Sequence, residues 1–238
     1  MPYRNMSLDD FARHIGMDLR EVQKLAERGK LPGEKVGGQW RFNRARVTEW
    51  LQQEMHLQSE QRLIEIERAM SGGEEGEWSP GIVTGMLSVE GIDMALRAGS
   101  RSSIIREMIG LAERTGLLYD KDGLLEAVMA REELCSTALP NGVAVPHPRQ
   151  PMPYVSAEPL ICLGRVPSGV PFGSPDGILT CLFFLIVSHD DRSHLHVLAR
   201  LVRMLDRDTV LALRDIDQPD EALTLLMRRE EQVAQRSA

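Results

Sequence analysis

The sequence predicts an α/β protein in two parts. An N-terminal winged helix-turn-helix precedes a C-terminal α/β sandwich with a mixed sheet flanked by helices. Three observations predict it. Within residues 1–55, two short helical patterns, a Gly-Gly hairpin and a third helical pattern succeed one another. Beyond residue 82, helical periodicities alternate with short apolar runs, the pattern of helices packed on a sheet. Between them, Ser71 to Glu77 reads as a flexible, acidic, Gly-rich break. A length of 238 residues accommodates two domains. The expected division is a head over 1–55, a helical and flexible connector over 56–81, and a body over 82–232.

In the head, Ser7 to Ile15 predicts a first helix. Ser7 is a good N-cap with Asp10 three residues on, and Leu8, Phe11, Ala12 and Ile15 share one face. Gly16 ends it. Asp18 opens a second helix whose apolar face is Leu19, Val22, Leu25 and Ala26; Gly29 closes it and Pro32 bars its return. Lys35-Val36 and Trp40 to Phe42 then read as two strands joined at Gly37-Gly38, a favoured hairpin turn. Asn43 caps a third helix through Val47, Trp50 and Leu51. Leu57 to Met70 continues that helix, with Leu57 and Ile64 coming after Trp50 at seven-residue intervals.

In the body, Ile104 to Thr115 and Lys121 to Glu133 predict amphipathic helices, the first ended by Gly116. Strands are expected at Val143–Val145, Pro159–Val166 and Leu179–Val187; the last is continuously apolar, as a central strand covered on both faces would be. Asp190 and Asp191 cap a helix running to about Asp206, and a final helix is expected from a cap near Asp217.

Composition is that of an ordinary soluble protein, 42% apolar and 26% charged. No signal-peptide pattern opens the chain, and Leu179 to Val187 is too short to span a bilayer, so a cytoplasmic location without membrane insertion is expected. Cys135, Cys162 and Cys181 have neither metal-type nor redox-type spacing, and their odd number argues against a disulfide framework. The net charge of −7 is uneven: residues 1–54 hold ten Lys/Arg against eight Asp/Glu, leaving the remainder at −9. A mildly basic head on an acidic body fits nucleic-acid contact restricted to the head.

A helix-turn-helix places its second helix in the major groove. Arg20, Gln23, Lys24 and Arg28 are the candidate contacts there, with Arg and Lys addressing guanine or phosphate and Gln addressing adenine. Lys35, Gln39 and Arg41 on the wing would meet backbone or minor groove. The series Phe11-Ala12, Ile15-Gly16, Val22, Gly29 to Pro32, Lys35 to Gly37, Trp40-Arg41 and Trp50-Leu51 resembles the excisionase/MerR-like winged helix-turn-helix family over residues 5–53. That resemblance implies DNA binding. The competing reading is a helical interaction module whose cations are only a solvated face.

The most telling residue of the body is His147. Val143 to Val145 forms a short strand, Pro146 ends it, and the imidazole stands at its mouth, with Arg131, Ser136 and Thr137 just upstream. A histidine beside hydroxyl donors and a cation suits reversible phosphoryl acceptance, in which the ring nitrogen is the nucleophile. The run Arg131-Glu132, Ser136-Thr137 and Asn141 to His147, with His194-Leu195 and Leu198 further on, resembles the IIA component of the bacterial phosphoenolpyruvate-dependent phosphotransferase system, in its mannitol/fructose and nitrogen-regulatory branch. The match covers about residues 82–232. It implies that His147 accepts a phosphoryl group on Nε2 from an HPr-type phosphocarrier. His194 would then donate a hydrogen bond to the phosphate and Arg131 neutralise charge, while Ser136 and Thr137 orient ring or phosphate. Pro148 departs from the glycine that often succeeds the histidine in this family, and His189 and His196 are extra. His194 and His196 are two apart on a helix and face different sides. The histidines lack metal-ligand spacing, so neither metal nor cofactor is expected.

The expected function is a phosphoryl carrier rather than a free-standing enzyme: a DNA-binding regulator governed by the phosphorylation state of His147. A IIB-type or sensor protein would be a further partner, and the helix over 44–70 would support a homodimer. The alternative is a plain phosphoryl carrier whose head docks without binding DNA.

Overall fold

The computed structural model describes residues 5–71 and 81–236, in two compact units that divide between Trp78 and Ser79. The acidic break expected after Ser71 falls almost wholly outside the described residues.

The first unit runs β1 (Asn5–Met6), α1 (Leu8–Ile15), α2 (Leu19–Glu27), β2 (Gly33–Val36), β3 (Gln39–Asn43), α3 (Arg44–Glu54) and α4 (Glu60–Ser71). The expected caps form. Ser7 and Asp10 make a reciprocal capping box on α1, Asp18 Oδ1 accepts from Arg20 N at 2.9 Å, and Asn43 Oδ1 accepts from Arg46 N at 3.2 Å. Gly37 and Gly38 both have positive φ, the two-residue turn that pairs β2 with β3. β1 adds to the other edge of β3, giving a three-stranded antiparallel wing. The core is aromatic: Phe11 stacks on Phe42 at 4.4 Å, Trp50 lies 6.2 Å from Phe11, and Trp40 lies 6.2 Å from Phe42.

The continuous helix expected over 44–70 is not formed. A 3-10 turn at Met55–Leu57 and an extended Gln58 break it. Met55 is buried in the turn, while Leu57 is 66% exposed, which removes the seven-residue seam. α4 turns back onto α1 and buries Leu63, Ile64, Ile66 and Met70. Arg62 in α4 donates to Ile15 O and Gly16 O, at 2.8 and 2.9 Å, closing the end of α1. Gly16 has φ +67°, and a Cβ at its position would lie 2.7 Å from Glu65 O, so both backbone and packing require glycine.

The second unit carries a five-stranded sheet in the order β4 (Leu87–Asp93), β7 (Leu160–Val170), β8 (Thr180–Val187), β6 (Val143–Ala144), β5 (Ala138–Leu139). β4 is parallel to β7 and β6 to β8; the other pairs are antiparallel, so the sheet is mixed. β8 is buried along its whole length. Its Phe183, Leu185 and Val187 join Leu160, Cys162 and Val166 of β7 in a core with α5 (Arg101–Arg114) and α6 (Lys121–Leu134). Alternation sends Leu182, Phe184 and Ile186 to the opposite face. There α7 (Asp191–Met204), α8 (Arg207–Asp215) and α9 (Pro219–Gln235) pack, α8 against β8 and α9 against α7 and β4.

The second unit also differs from the sequence expectation: β5 is not among the expected strands, and β7 runs on to Val170 beyond the expected Val166. β4 has no counterpart there, because its burial pattern carries exposed residues at its centre and a register shift at Leu87/Ile92. The helix expected to reach Asp206 ends at Met204, and Asp206 instead caps a separate helix, α8. Asp217 does not cap α9; Gln218 and Pro219 open that helix, and Asp217 pairs with Arg165.

Candidate functional site

β6 and β8 run parallel, with Val143 beside Leu182 and Ala144 beside Phe183. Their carboxyl ends therefore deliver the next residues of both strands to one place, where open α/β sheets hold ligands. After β6 come Val145, Pro146 and His147; Pro146 O accepts from Ile186 N at 3.0 Å, which fixes the exit to β8. After β8 comes Ser188, and then Asp190, which caps α7 through Arg192 N and Ser193 N. His194 stands in the first turn of α7. The two imidazoles meet with centroids 4.8 Å apart and planes tilted by 49°. Each histidine is only 3% exposed.

Each ring is held by one nitrogen. His147 Nδ1 lies 2.7 Å from Val145 O, so it carries the proton and donates it there. Ser188 Oγ lies 3.4 Å from His194 Nδ1. Nε2 of both rings is buried without a hydrogen-bond partner, and so is Nε of Arg131. Arg131 is 3% exposed and donates from Nη1 to Cys135 O at 2.9 Å and to Cys135 Sγ at 3.3 Å. A buried unsatisfied polar atom costs about 1–3 kcal/mol, so three in one place require a physical explanation.

Burial holds the pKa of His147 well below the usual imidazole range; His194 and Arg131 act in the same direction, and the bond to Val145 O partly opposes them. Burial, then Arg131, lowers His194 to about 4. Both rings are therefore neutral at neutral pH, and the Nδ1–H of His147 leaves the Nε2 lone pair free. A neutral nucleophilic nitrogen with a guanidinium and a second imidazole nearby can attack an electrophile that carries negative charge.

Ser136 and Thr137 are engaged elsewhere. Ser136 Oγ donates to Phe172 O at 2.5 Å, an oxygen that also accepts from Arg101 Nη2 at 2.9 Å. Thr137 Oγ1 donates to Glu132 Oε2 at 2.7 Å, and Thr137 N donates to Glu132 Oε1 at 3.0 Å. Glu132 is 1% exposed and lies 3.9 Å from Arg101 Nε. Sequence reasoning gives Glu132 no role, and nothing in the local pattern marks it, since Glu133 and Leu134 beside it are exposed. His196 is half-buried, and burial with Arg200 and Arg192 lowers it to about 4; those partners are not the ones around His147. His189 Nε2 lies 3.1 Å from Ser156 Oγ. Cys135, Cys162 and Cys181 form no disulfide, and among the described residues no group of three His, Cys, Asp or Glu is placed to hold a metal ion.

In the first unit, Arg20, Gln23, Lys24 and Arg28 are all exposed on or just after α2. Lys35 and Gln39 are exposed on the wing and Arg41 is half-buried. Two of these side chains hold neighbours: Gln23 Nε2 donates to Glu27 Oε1 at 3.1 Å and Arg41 Nη2 to Gln39 Oε1 at 2.9 Å. Arg28 also lines a cleft with Leu25, Lys30, Trp50 and Arg62.

A helix-turn-helix unit joined to an α/β body of phosphotransferase IIA type is the class these folds define. Residues 86–228 match the family "Phosphoenolpyruvate-dependent sugar phosphotransferase system, EIIA 2", and residues 6–55 match "Helix-turn-helix domain". The chain belongs to that phosphotransferase EIIA family and carries a helix-turn-helix domain before the EIIA domain. A nitrogen regulatory protein of Bradyrhizobium diazoefficiens is 32% identical over 137 residues, 56% of this chain and 86% of that one. The fructose-specific EIIABC component of Bacillus subtilis is 29% identical over 130 residues, 54% of this chain but only 20% of that protein's length. Among solved structures, the nitrogen regulatory protein IIA-Ntr of Neisseria meningitidis superposes with a TM-score of 0.55 at 26% identity, covering 60% of this chain and 97% of that one. Among the described residues no helix is long and apolar enough to cross a membrane.

Proposed function

We propose that this chain is a DNA-binding regulator whose body is phosphorylated reversibly on His147 Nε2 by a phosphohistidine carrier of the HPr type, with the phosphorylation state setting its regulatory output. One observation carries the reading: Nε2 of His147, Nε2 of His194 and Nε of Arg131 are all buried without partners. A phosphoryl group satisfies all three. The Nε2 lone pair of His147 forms the new N–P bond as the donor's N–P bond breaks and its electron pair returns to the donor imidazole. His147 keeps its Nδ1 proton, and Val145 O stabilises the positive charge that develops on the ring. With Nδ1 of His194 accepting from Ser188 Oγ, its Nε2–H would join Arg131 in meeting the charge spread over the equatorial oxygens, and positioning and electrostatics supply the catalysis. Reversal passes the group to an acceptor, a IIB-type or sensor protein.

The exposed cations of α2 fit a major groove, and those of the wing fit backbone or minor groove. Two heads on adjacent half-sites give the specificity one head lacks, so a dimer is the expected DNA-bound state. A nitrogen regulatory relative matched over most of its own length favours regulation over sugar transport. These partners locate the protein's work in the cytoplasm.

Intact-mass analysis and peptide mapping after incubation with phosphoenolpyruvate, enzyme I and an HPr-type carrier test the first half. An acid-labile phosphoryl group on His147, absent in His147→Ala, is expected; failure with a range of such donors sinks it. Equal DNA affinity of the phosphorylated and unphosphorylated forms would remove the regulatory half. Removing residues 1–71 then separates a regulator from a plain carrier, whose output would survive the deletion.

A further inference from the structure

Glu132 is a buried acid with three hydrogen bonds from one residue, and phosphoryl transfer as proposed makes no use of it. It stands next to Arg131 in the last turn of α6, and the two side chains grip the same short turn at its two ends. Arg131 donates to Cys135 O, and Glu132 accepts from Thr137 N and Thr137 Oγ1. The grip continues. Thr137 O accepts from Val145 N at 3.1 Å, while Ala138 pairs with Ala144 in the short β5–β6 ladder. Val145 O, on the same residue, is the acceptor for His147 Nδ1–H. Glu132 is thus the first member of a chain of hydrogen bonds and peptide units whose last member sets which nitrogen of His147 carries the proton.

We infer that Glu132 is a positioning residue for phosphoryl transfer: through Thr137 and Val145 it holds the Nδ1–H tautomer of His147 and ties that ring to the cation of Arg131. The inference rests on the proposed phosphorylation of His147. Glu132 touches no reacting atom. Its burial is the reason a change there travels. Thr137 itself is 7% exposed, so with an apolar group in place of the carboxylate its N–H and Oγ1–H lie buried without an acceptor, and an amide offers them one oxygen where the carboxylate offers two. The turn must then shift to recover them, and Val145 O moves with it. A ring released from Val145 O populates the other neutral tautomer, in which Nε2 bears the proton and has no lone pair to offer. Arg101, 3.9 Å from the carboxylate, and the Ser136 contact to Phe172 O keep the outer side of the turn in place, so the shift is directed toward the histidine.

The test uses the full chain with Glu132→Gln, Glu132→Leu and Thr137→Val. Nitrogen-15 NMR of unphosphorylated protein reads the tautomer of His147, and rapid-quench transfer from phosphorylated HPr-type carrier reads kcat and KM. Wild type is expected to show Nδ1–H alone; Glu132→Gln and Thr137→Val are expected to show a mixture of tautomers. Their kcat should fall on the order of tenfold or more, with KM for the carrier within about twofold, as for a misplaced rather than missing nucleophile. A wild-type tautomer pattern in all folded variants overturns the inference, whether or not their melting temperatures fall. So does a kcat within about twofold of wild type in Glu132→Gln and Thr137→Val together. If Glu132→Leu does not fold, the other two substitutions decide. If wild type itself accepts no phosphoryl group, the functional proposal fails, and the tautomer spectra alone still decide the role of Glu132.

Discussion

At the scale of single residues, the site gathers three buried nitrogens without hydrogen-bond partners, which a phosphoryl group would meet under the proposed function. Arg131→Met keeps the bulk of the side chain and removes the guanidinium proposed to meet the phosphoryl oxygens. Single-turnover transfer to His147 is expected to slow on the order of 10²-fold, the usual cost of one lost transition-state donor, measured by rapid quench. His194 gives a pH prediction. Its folded pKa of about 4 lies below the usual 6.5, so the unfolded chain binds the extra proton first. Stability from this group is complete above pH ~6.5 and is lost as pH falls towards ~4, by roughly 3 kcal/mol in all. Urea melts of wild type at about pH 7.5 and about pH 4.5 should show the loss, and His194→Asn should show less of it. An equal loss in the variant would mean that the buried ring titrates freely.

At the scale of elements, most helices are legible in the sequence, because Ser7, Asp18 and Asn43 cap where their side chains can reach the next turn's amides. β8 is legible because a run buried on both faces has no polar residue to spare. The sequence names His147 and His194 together, and their rings do meet, but the hydrogen-bond partners of Ser136 and Thr137 are not legible. Their chemistry fits ring or phosphate equally well on paper, and only folding shows their hydroxyls given to Phe172 and Glu132. β4 is illegible because Val89 and Glu90 at its centre are exposed, which hides the strand's period. α4 is legible as helix yet looks like a connector, since its apolar residues name no partner; the partner is α1. Ile66→Ala therefore should destabilise the head by about 2–5 kcal/mol, as a core truncation does, rather than leave it unchanged as in a linker. Hydrogen exchange of α1 amides in the full chain measures it.

At the scale of the whole molecule, the net charge of −7 divides into −9 on the residues beyond 54 and +2 on residues 1–54. If the head binds DNA as proposed, its affinity should be modest and salt-dependent, and Lys24→Ala should reduce the slope of log K against log salt by about one. Titrations over a range of salt concentrations measure it; an unchanged slope would remove Lys24 from the phosphate contacts. The sheet beneath the histidines has its own consequence. β8 is buried from Thr180 to Val187, and an interior packed to crystal-like density does not yield to a new charge placed on top of it. If His147 is phosphorylated as proposed, that charge would be felt sideways rather than through the sheet. The loop after His147 is joined to the sheet's end by Met152 N on Ser188 O and bears Tyr154 almost wholly in solvent. A partner that touched only this rim would then read the state of a histidine it never reaches.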